Sequence, residues 1–401
     1  MFKVDEKTNI HVLPLAVGML VSGILLGCFV GIAIADAPYT VAPSGSKLEV
    51  PEGSLQIVQR DLLISNPGEY QIPDEQLHFP YLFESPNGIW YLTYREGPHY
   101  ETPTSRGNRV QCVQSRDRGK TWLPWMGMKA EPWMYQFFVT RLEDDTLISY
   151  RCRMAGVHQV VNASGLPDGT TAGTAIILES SDNGAFWTRR FVPVTNMPCS
   201  DDSHLITLWG RAIQMPDGRL LWGIISREKQ PTESVVGVAE STDGGKSFRF
   251  VSTLCHNVFQ EVGEPREPGI ELLPSGELVA LIRCAPMIQV RSTDGGRTWS
   301  EPRKLQYAGM CPRLLLLENG VLVASYGTRY YMHIMASWDG SGQNWSEPLV
   351  VYKGQTGGYS NLQALASDRF RICYQEGTFN TDQPGGHRIV RLVLKVATAN
   401  K

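Results

Sequence analysis

No C-x-x-C pair stands anywhere in the chain, although it holds 8 cysteines. Thiolate zinc sites are built on such short spacings, so no metal site is expected. Beyond Cys28 the cysteines are scattered, at Cys112, Cys152, Cys199, Cys255, Cys284, Cys311 and Cys373. Several sit inside apolar runs such as "LIRC", where a free buried thiol is the reading and no disulfide is assigned. A basic block is also missing. The 37 Lys and Arg against 40 Asp and Glu leave a net charge of -3. This argues against nucleic acid as a partner, because phosphate is bound by clustered cations. No long amphipathic helical pattern follows residue 60, and no motif asks for a cofactor.

One long apolar run is present. Residues 12–35, "VLPLAVGMLVSGILLGCFVGIAIA", carry no charge over 24 positions. That length can span a bilayer as a helix. Small residues in "AIADAP" (33–38) also suit a cleavage point, and "LLGC" has the look of a lipoprotein box at Cys28. Residues 1–36 are therefore read as a signal peptide or an N-terminal membrane anchor. Export or membrane association through this segment is expected. Residues 37–54 are read as a linker and 55–401 as the folded body.

The body is repetitive. "SRDRGKTW" (115–122), "SSDNGAFW" (180–187), "STDGGKSF" (241–248), "STDGGRTW" (292–299) and a looser "SWDGSGQNW" (337–345) recur at starts 65, 61, 51 and 45 residues apart. Each follows an alternating apolar run such as "VVGVAE" or "MIQVR", the period of a strand. Asp-x-Gly is hairpin chemistry: Asp accepts backbone N–H groups and Gly takes the positive φ. A second element, a Gly turn followed by a β run, recurs in "SPNGIWYLTY", "MPDGRLLWGI", "LPSGELVALI" and "LENGVLVASY", and without the Gly in "LEDDTLISY" and "LASDRFRICY". Six such elements over roughly 330 residues leave about 55 for each, enough for a four-stranded sheet with its turns. The expectation is an all-β, six-bladed β-propeller of four-stranded antiparallel blades, with Leu55–Ser85 as the entry strand and the chain end closing the ring.

These repeats resemble the Asp-box, or bacterial neuraminidase repeat, of the sialidase superfamily. The resemblance covers about residues 70–395. It implies Asp boxes on turns away from the active site, and chemistry on loops at the centre of the opposite face. "EPGIELLPSGELVALIRC" (267–284) resembles the segment carrying a catalytic Glu and then an Arg, which maps to Glu267 and Arg283. "SYGTRY" (325–330) resembles the segment of a further Arg, here Arg329. "GGYSNLQAL" (357–365) resembles the segment of the tyrosine nucleophile, here Tyr359. The first half departs from the pattern. "LHFPYL" (77–82) has His78 where the family has the first of three arginines. "YREGPHYETPTSRGNRV" (94–110) has no Asp where the acid/base Asp belongs, and offers Arg95, Glu96, His99 and Glu101.

The roles follow from the residue types. Paired arginines fork onto a sugar carboxylate. A phenol is a weak nucleophile at its ordinary pKa near 10, and a neighbouring carboxylate can take its proton as it attacks. Tyr359, Glu267 and His99 are thus the candidate catalytic residues, with His99 as the acid. Arg283, Arg329, His78 and Arg95 are the candidate substrate-binding residues. Arg313 is a further candidate anion ligand, and "CSDDSHLITLWGR" (199–211), with Asp201, Asp202, His204 and Arg211, reads as an exposed polar loop, the alternative being a metal or sugar contact. The leading expectation is an exported sialidase-like glycoside hydrolase acting on a terminal acidic sugar of a glycan. The alternatives are a uronate-directed polysaccharide lyase and a non-catalytic glycan-binding propeller.

Overall fold

The alternating runs become strands, and the Gly and Asp-Gly signals between them become hairpins. The computed structural model describes residues 40–66, 76–97, 109–128, 137–150, 172–197, 205–227, 235–256, 264–377 and 387–399. Every regular element among them is a strand. The chain runs through antiparallel meanders in sequence order. The first comprises Leu77–Glu84, Trp90–Glu96, Arg109–Ser115 and Leu123–Pro124. A later one comprises Arg266–Leu272, Leu278–Arg283, Ile288–Ser292 and Arg303–Lys304.

Hydrogen bonding divides the strands into five sheets, of 4, 8, 4, 5 and 5 strands, and not into separate four-stranded blades. The eight-stranded sheet arises where two meanders, 140–195 and 205–256, touch at their outer strands. A short parallel pairing, Val194 with Phe248 and Thr195 with Arg249, joins them. Both five-stranded sheets gain a strand from the segment read as a linker. Thr40–Val41 pairs with Leu349–Lys353, and Lys47–Val50 pairs with Gly53–Asn66.

The ends of the body are zipped together. Gly53–Asn66 runs antiparallel to His387–Thr398, from Gly53 opposite Thr398 to Asn66 opposite His387. Entry and exit of the body thus share one sheet, as closure of the chain on itself requires. The opening strands of successive sheets pack on one another: Leu205–Gln214 on Arg266–Leu272, then Met310–Leu316, then Ser360–Ala366, and back to Leu77–Glu84. Side-chain amides reinforce that last seam. Asn361 accepts from Leu82 N at 3.1 Å and donates to Leu82 O at 2.9 Å, imitating a strand partner.

The repeated box is a fastening. In "STDGGRTW", Asp294 accepts from Arg297 N (3.0 Å), Thr298 N (2.9 Å) and Ser292 Oγ (2.8 Å), while Gly296 N donates to Ser292 Oγ at 2.9 Å. Gly295 and Gly296 both have positive φ, which only Gly adopts freely. Trp299 reaches back to the preceding meander and donates to Ser252 Oγ at 3.0 Å. Trp345 reaches Gln289, and Trp122 reaches Leu63 O, in the same sense. Each of these boxes therefore ties its hairpin and stitches neighbouring meanders.

The bonds to the box acids set a pH dependence. Burial alone would raise the carboxyl of Asp294, but the bonds from Thr298, Ser292 and Arg297 outweigh it and hold it at about 2. A depressed carboxyl contributes stability that is present above the ordinary carboxylate range and is lost as pH falls through the folded value. The boxes of Asp117, Asp243 and Asp294 should therefore weaken together between about pH 4 and pH 2. Asp294→Ala should cost about 1 kcal/mol in denaturant unfolding at neutral pH, because water partly replaces exposed bonds. It should also flatten the acid limb of the stability curve.

Candidate active site

Strand direction alternates within each meander, so its two ends differ. The box turns follow third strands and lie at one end. The starts of first strands lie at the other, and there the first strands share an irregularity. A bulge interrupts the pairing between His78 and Tyr81, Trp209 and Ile213, Arg266 and Gly269, and Met310 and Arg313. At each bulge one residue has positive φ: Phe79 (52°), Gly210 (78°), Glu267 (51°) and Cys311 (48°). Three of these are not Gly, and each of the three precedes a proline. A proline is tolerated here because a first strand is a sheet edge and owes no N–H on that side. Holding an ordinary residue at positive φ costs of order 1 kcal/mol, and such strain collects at functional sites.

The bulges bring side chains from different sheets together. Glu267 is buried, and three donors point at its carboxylate. Tyr359 Oη donates to Oε1 at 3.0 Å, Arg283 Nη1 donates to Oε1 at 2.8 Å, and Cys311 N donates to Oε2 at 3.1 Å. The Phe79 ring meets Tyr359 edge to face, with centroids 4.5 Å apart. Arg95 lies over Phe79 at 5.7 Å from the ring centre. Arg95 pairs with His78 across its sheet as Arg283 pairs with Arg266 across another, so the two arginines occupy equivalent positions.

Electrostatics assign the protons. Burial, reinforced by the Glu267 carboxylate, pushes the Tyr359 hydroxyl well above the ordinary phenol value, against the opposing pull of Arg283. Tyr359 at rest is a neutral phenol donating to Glu267. Burial alone would lower the Arg283 pKa, but Glu267 and Tyr359 outweigh it and the guanidinium stays charged. The arrangement can therefore hand a phenol proton to a carboxylate whose position is fixed by Arg283 and by a backbone N–H.

Close backbone approach places Tyr359. A Cβ on Gly327 would stand 2.2 Å from Gly358 Cα, so the 327–329 turn and the Tyr359 segment meet this closely only because residue 327 is Gly. Thr356 N donates to Arg329 O at 3.0 Å. Arg329 itself is exposed on this turn and joins no hydrogen bond or ion pair of the Glu267 cluster. It stands beside the Tyr359 segment, at the rim of the site.

His78 takes a different place from the one expected. Its ring is fully buried, with Nε2 at 3.0 Å from Gln76 Oε1 and Nδ1 at 3.3 Å from Gln375 Nε2. With no exposed atom it cannot touch a sugar. It supports the bulge instead, since Gln375 Oε1 also accepts from Phe79 N at 2.6 Å. His99, Glu101, Asp201, Asp202 and His204 lie outside the described residues. The stretch read as an exposed loop is, from Leu205 on, the strand Leu205–Gln214 with Leu208 and Trp209 buried, and its Arg211 pairs with Glu271 at 2.8 Å. Arg313 stacks on Phe138, its guanidinium 3.9 Å from the ring centre.

Residues missed from the sequence are Phe79, Cys311 and Gln375. For Phe79 and Cys311 the available signal was the residue–Pro step at the start of a first strand, in "HFP" and "MCP", the step that Glu267 shares in "REP"; Gln375 carried none. Among the described residues no group of three or more His, Cys, Asp or Glu could hold a metal. An axial cavity of about 470 Å³ opens at the other end, lined by Glu84, Arg141, Arg211, Leu315 and Gln363 among others, away from Tyr359 and Glu267.

Residues 157–370 match the family described as BNR repeat-like domain. A sialidase of Bacteroides fragilis is 25% identical over 219 residues, 50% of this chain and 39% of its own length. The chain thus matches well under half of that relative. Among solved structures, a Hadza microbial sialidase superposes with a TM-score of 0.55 at 20% identity, covering 80% of this chain and 66% of that one. An α-L-arabinofuranosidase of Fusarium graminearum superposes with a TM-score of 0.57 at 16% identity, covering 84% and 98%. At such identities the structural likeness is one of fold.

Proposed function

The chain belongs to the BNR repeat-like domain family, and from that footing we propose that it is an exported sialidase-like glycoside hydrolase acting on a terminal acidic sugar of a glycan. The observation that carries this reading is the 3.0 Å hydrogen bond from Tyr359 Oη to Glu267 Oε1. Support for glycosidase chemistry comes from the relative named a sialidase and from the folds shared with a sialidase and an arabinofuranosidase. The body is read as a ring of six blades, the eight-stranded sheet counting as two.

In the proposed reaction Tyr359 Oη attacks the anomeric carbon while Glu267 takes the phenol proton. The bond to the leaving oxygen breaks, and an acid, for which His99 is the candidate, protonates that oxygen. Water then displaces Tyr359, giving a proton to the conjugate base of that acid, and Glu267 returns its own proton to the phenol. Arg283 and the rim residue Arg329 hold the carboxylate of the sugar. Burial of His78 removes one base that the lyase alternative would have used, and the Tyr359–Glu267 pairing favours turnover over binding alone.

The test is product analysis of the full chain on sialylated and uronylated oligosaccharides. Release of a free acidic sugar is expected. An unsaturated product absorbing in the near ultraviolet would replace the reading with the lyase, and binding without any product would replace it with the non-catalytic propeller.

A further inference from the structure

One Asp box departs from the pattern of three others. The residue before the box aromatic is Thr121, Ser247 or Thr298 in three of the boxes, and its hydroxyl donates to the box Asp. In "SSDNGAFW" that residue is Phe186, which donates only its backbone N–H to Asp182, at 2.9 Å. Its ring stands 67% exposed. The box gives up a hydrogen bond and gains an apolar ring in water, which the fold does not require.

A second exposed side chain stands beside it. Met126 is 84% exposed in the turn after Leu123–Pro124. That turn is fixed against the Phe186 box: Trp187 N donates to Gly127 O at 2.9 Å, and Trp125 Nε1 donates to Ala185 O at 3.1 Å. Phe191, 60% exposed, follows on the outer strand Thr188–Thr195. The exposed neighbours in sequence include the cations Arg116, Arg118 and Lys120 in one box and, in the other, Asp182 with Arg189 beyond it. Among the acids of this surface Glu179 pairs with Arg190, while Asp117 and Asp182 accept only hydroxyl and backbone N–H donors, so two carboxylates stand among the cations.

We infer that this surface docks on an anionic lipid bilayer, with Met126 and Phe186 entering the headgroup boundary and Arg116, Arg118 and Lys120 facing acidic headgroups. Apolar side chains at turn tips suit insertion, and a rim of cations suits the charge of the partner. The positive rim stands out on a chain of net charge -3. A second copy fits poorly, because a symmetric contact would bring like charges together. The surface lies at the box end, opposite the Tyr359 end, so docking would leave the candidate site open to solvent. The inference does not rest on the proposed function.

The test places an environment-sensitive dye on Met126→Cys in the full chain, with the unsubstituted chain as the labelling control. With phosphatidylserine-containing vesicles the emission should rise and shift to the blue, and salt should reverse it. With phosphatidylcholine alone it should stay near its value in buffer. Replacing Arg116, Arg118 and Lys120 by Glu should weaken the lipid response at least about 100-fold, at roughly fivefold for each cation lost. Phe186→Thr restores the box pattern, should keep the fold by circular dichroism, and should reduce the response. Unchanged emission while the protein floats with the vesicles would overturn the inference. So would a rise without lipid that accompanies dimers in gel filtration.

Discussion

Tyr359→Phe should abolish sugar release, lowering kcat by about 10³-fold or more, with little change in fold. The substitution removes one oxygen. That oxygen is both the proposed nucleophile and the donor to Glu267 Oε1 at 3.0 Å. The ring would keep its edge-to-face contact with Phe79, so the loss should fall on kcat and leave KM within a few fold. A glycosidase with an unchanged rate in Tyr359→Phe would remove Tyr359 from the chemistry. Unaltered circular dichroism and thermal midpoint would show that the loss is one of reaction and not of structure.

Glu267→Gln should be nearly as severe, lowering kcat by about 10²–10⁴-fold at neutral pH. The amide keeps the size and one acceptor oxygen, but it cannot take the phenol proton. It also leaves the Arg283 guanidinium without its anion. Removing one partner of a buried pair costs 3–5 kcal/mol. Arg283 is partly exposed and Gln still accepts a bond, so about 1–2 kcal/mol is expected here. The pH profile gives the sharper readout. The Glu267 charge helps to hold the Tyr359 hydroxyl above its ordinary value. Without that charge Tyr359 should ionise at lower pH than in the parent, and the activity of Glu267→Gln should climb as the solution becomes alkaline. A flat profile would show that Glu267 holds Tyr359 in place and takes no proton from it.

Repeats, strands and box turns could be read from the chain because their causes are local: period-2 alternation, and Asp and Gly at fixed offsets. The merging of two meanders could not. It rests on Val194 and Thr195 meeting Phe248 and Arg249, more than 50 residues on, and no local pattern encodes such a contact. The edge strands at Thr40–Val41 and Lys47–Val50 escaped for a related reason, since short strands are made by the edges they find. Within the site, Tyr359, Glu267 and Arg283 were legible through resemblance, and the structure brings the three together. Arg329 stands beside them at the rim. His78 was read from its alignment with an arginine, but a fully buried imidazole between two glutamines does a different job. Phe79 and Cys311 gave only the residue–Pro step, which means little until the strand is known to be an inner edge.

The stereochemistry of the first product tests the central claim most directly. Attack by Tyr359 and then by water inverts the anomeric carbon twice, so the sugar should be released with its configuration retained. Proton NMR of the reaction mixture, recorded before the free sugar mutarotates, should show the substrate's own anomer first. Initial appearance of the opposite anomer would mean a single displacement by water, and the account of Tyr359 as nucleophile would be contradicted.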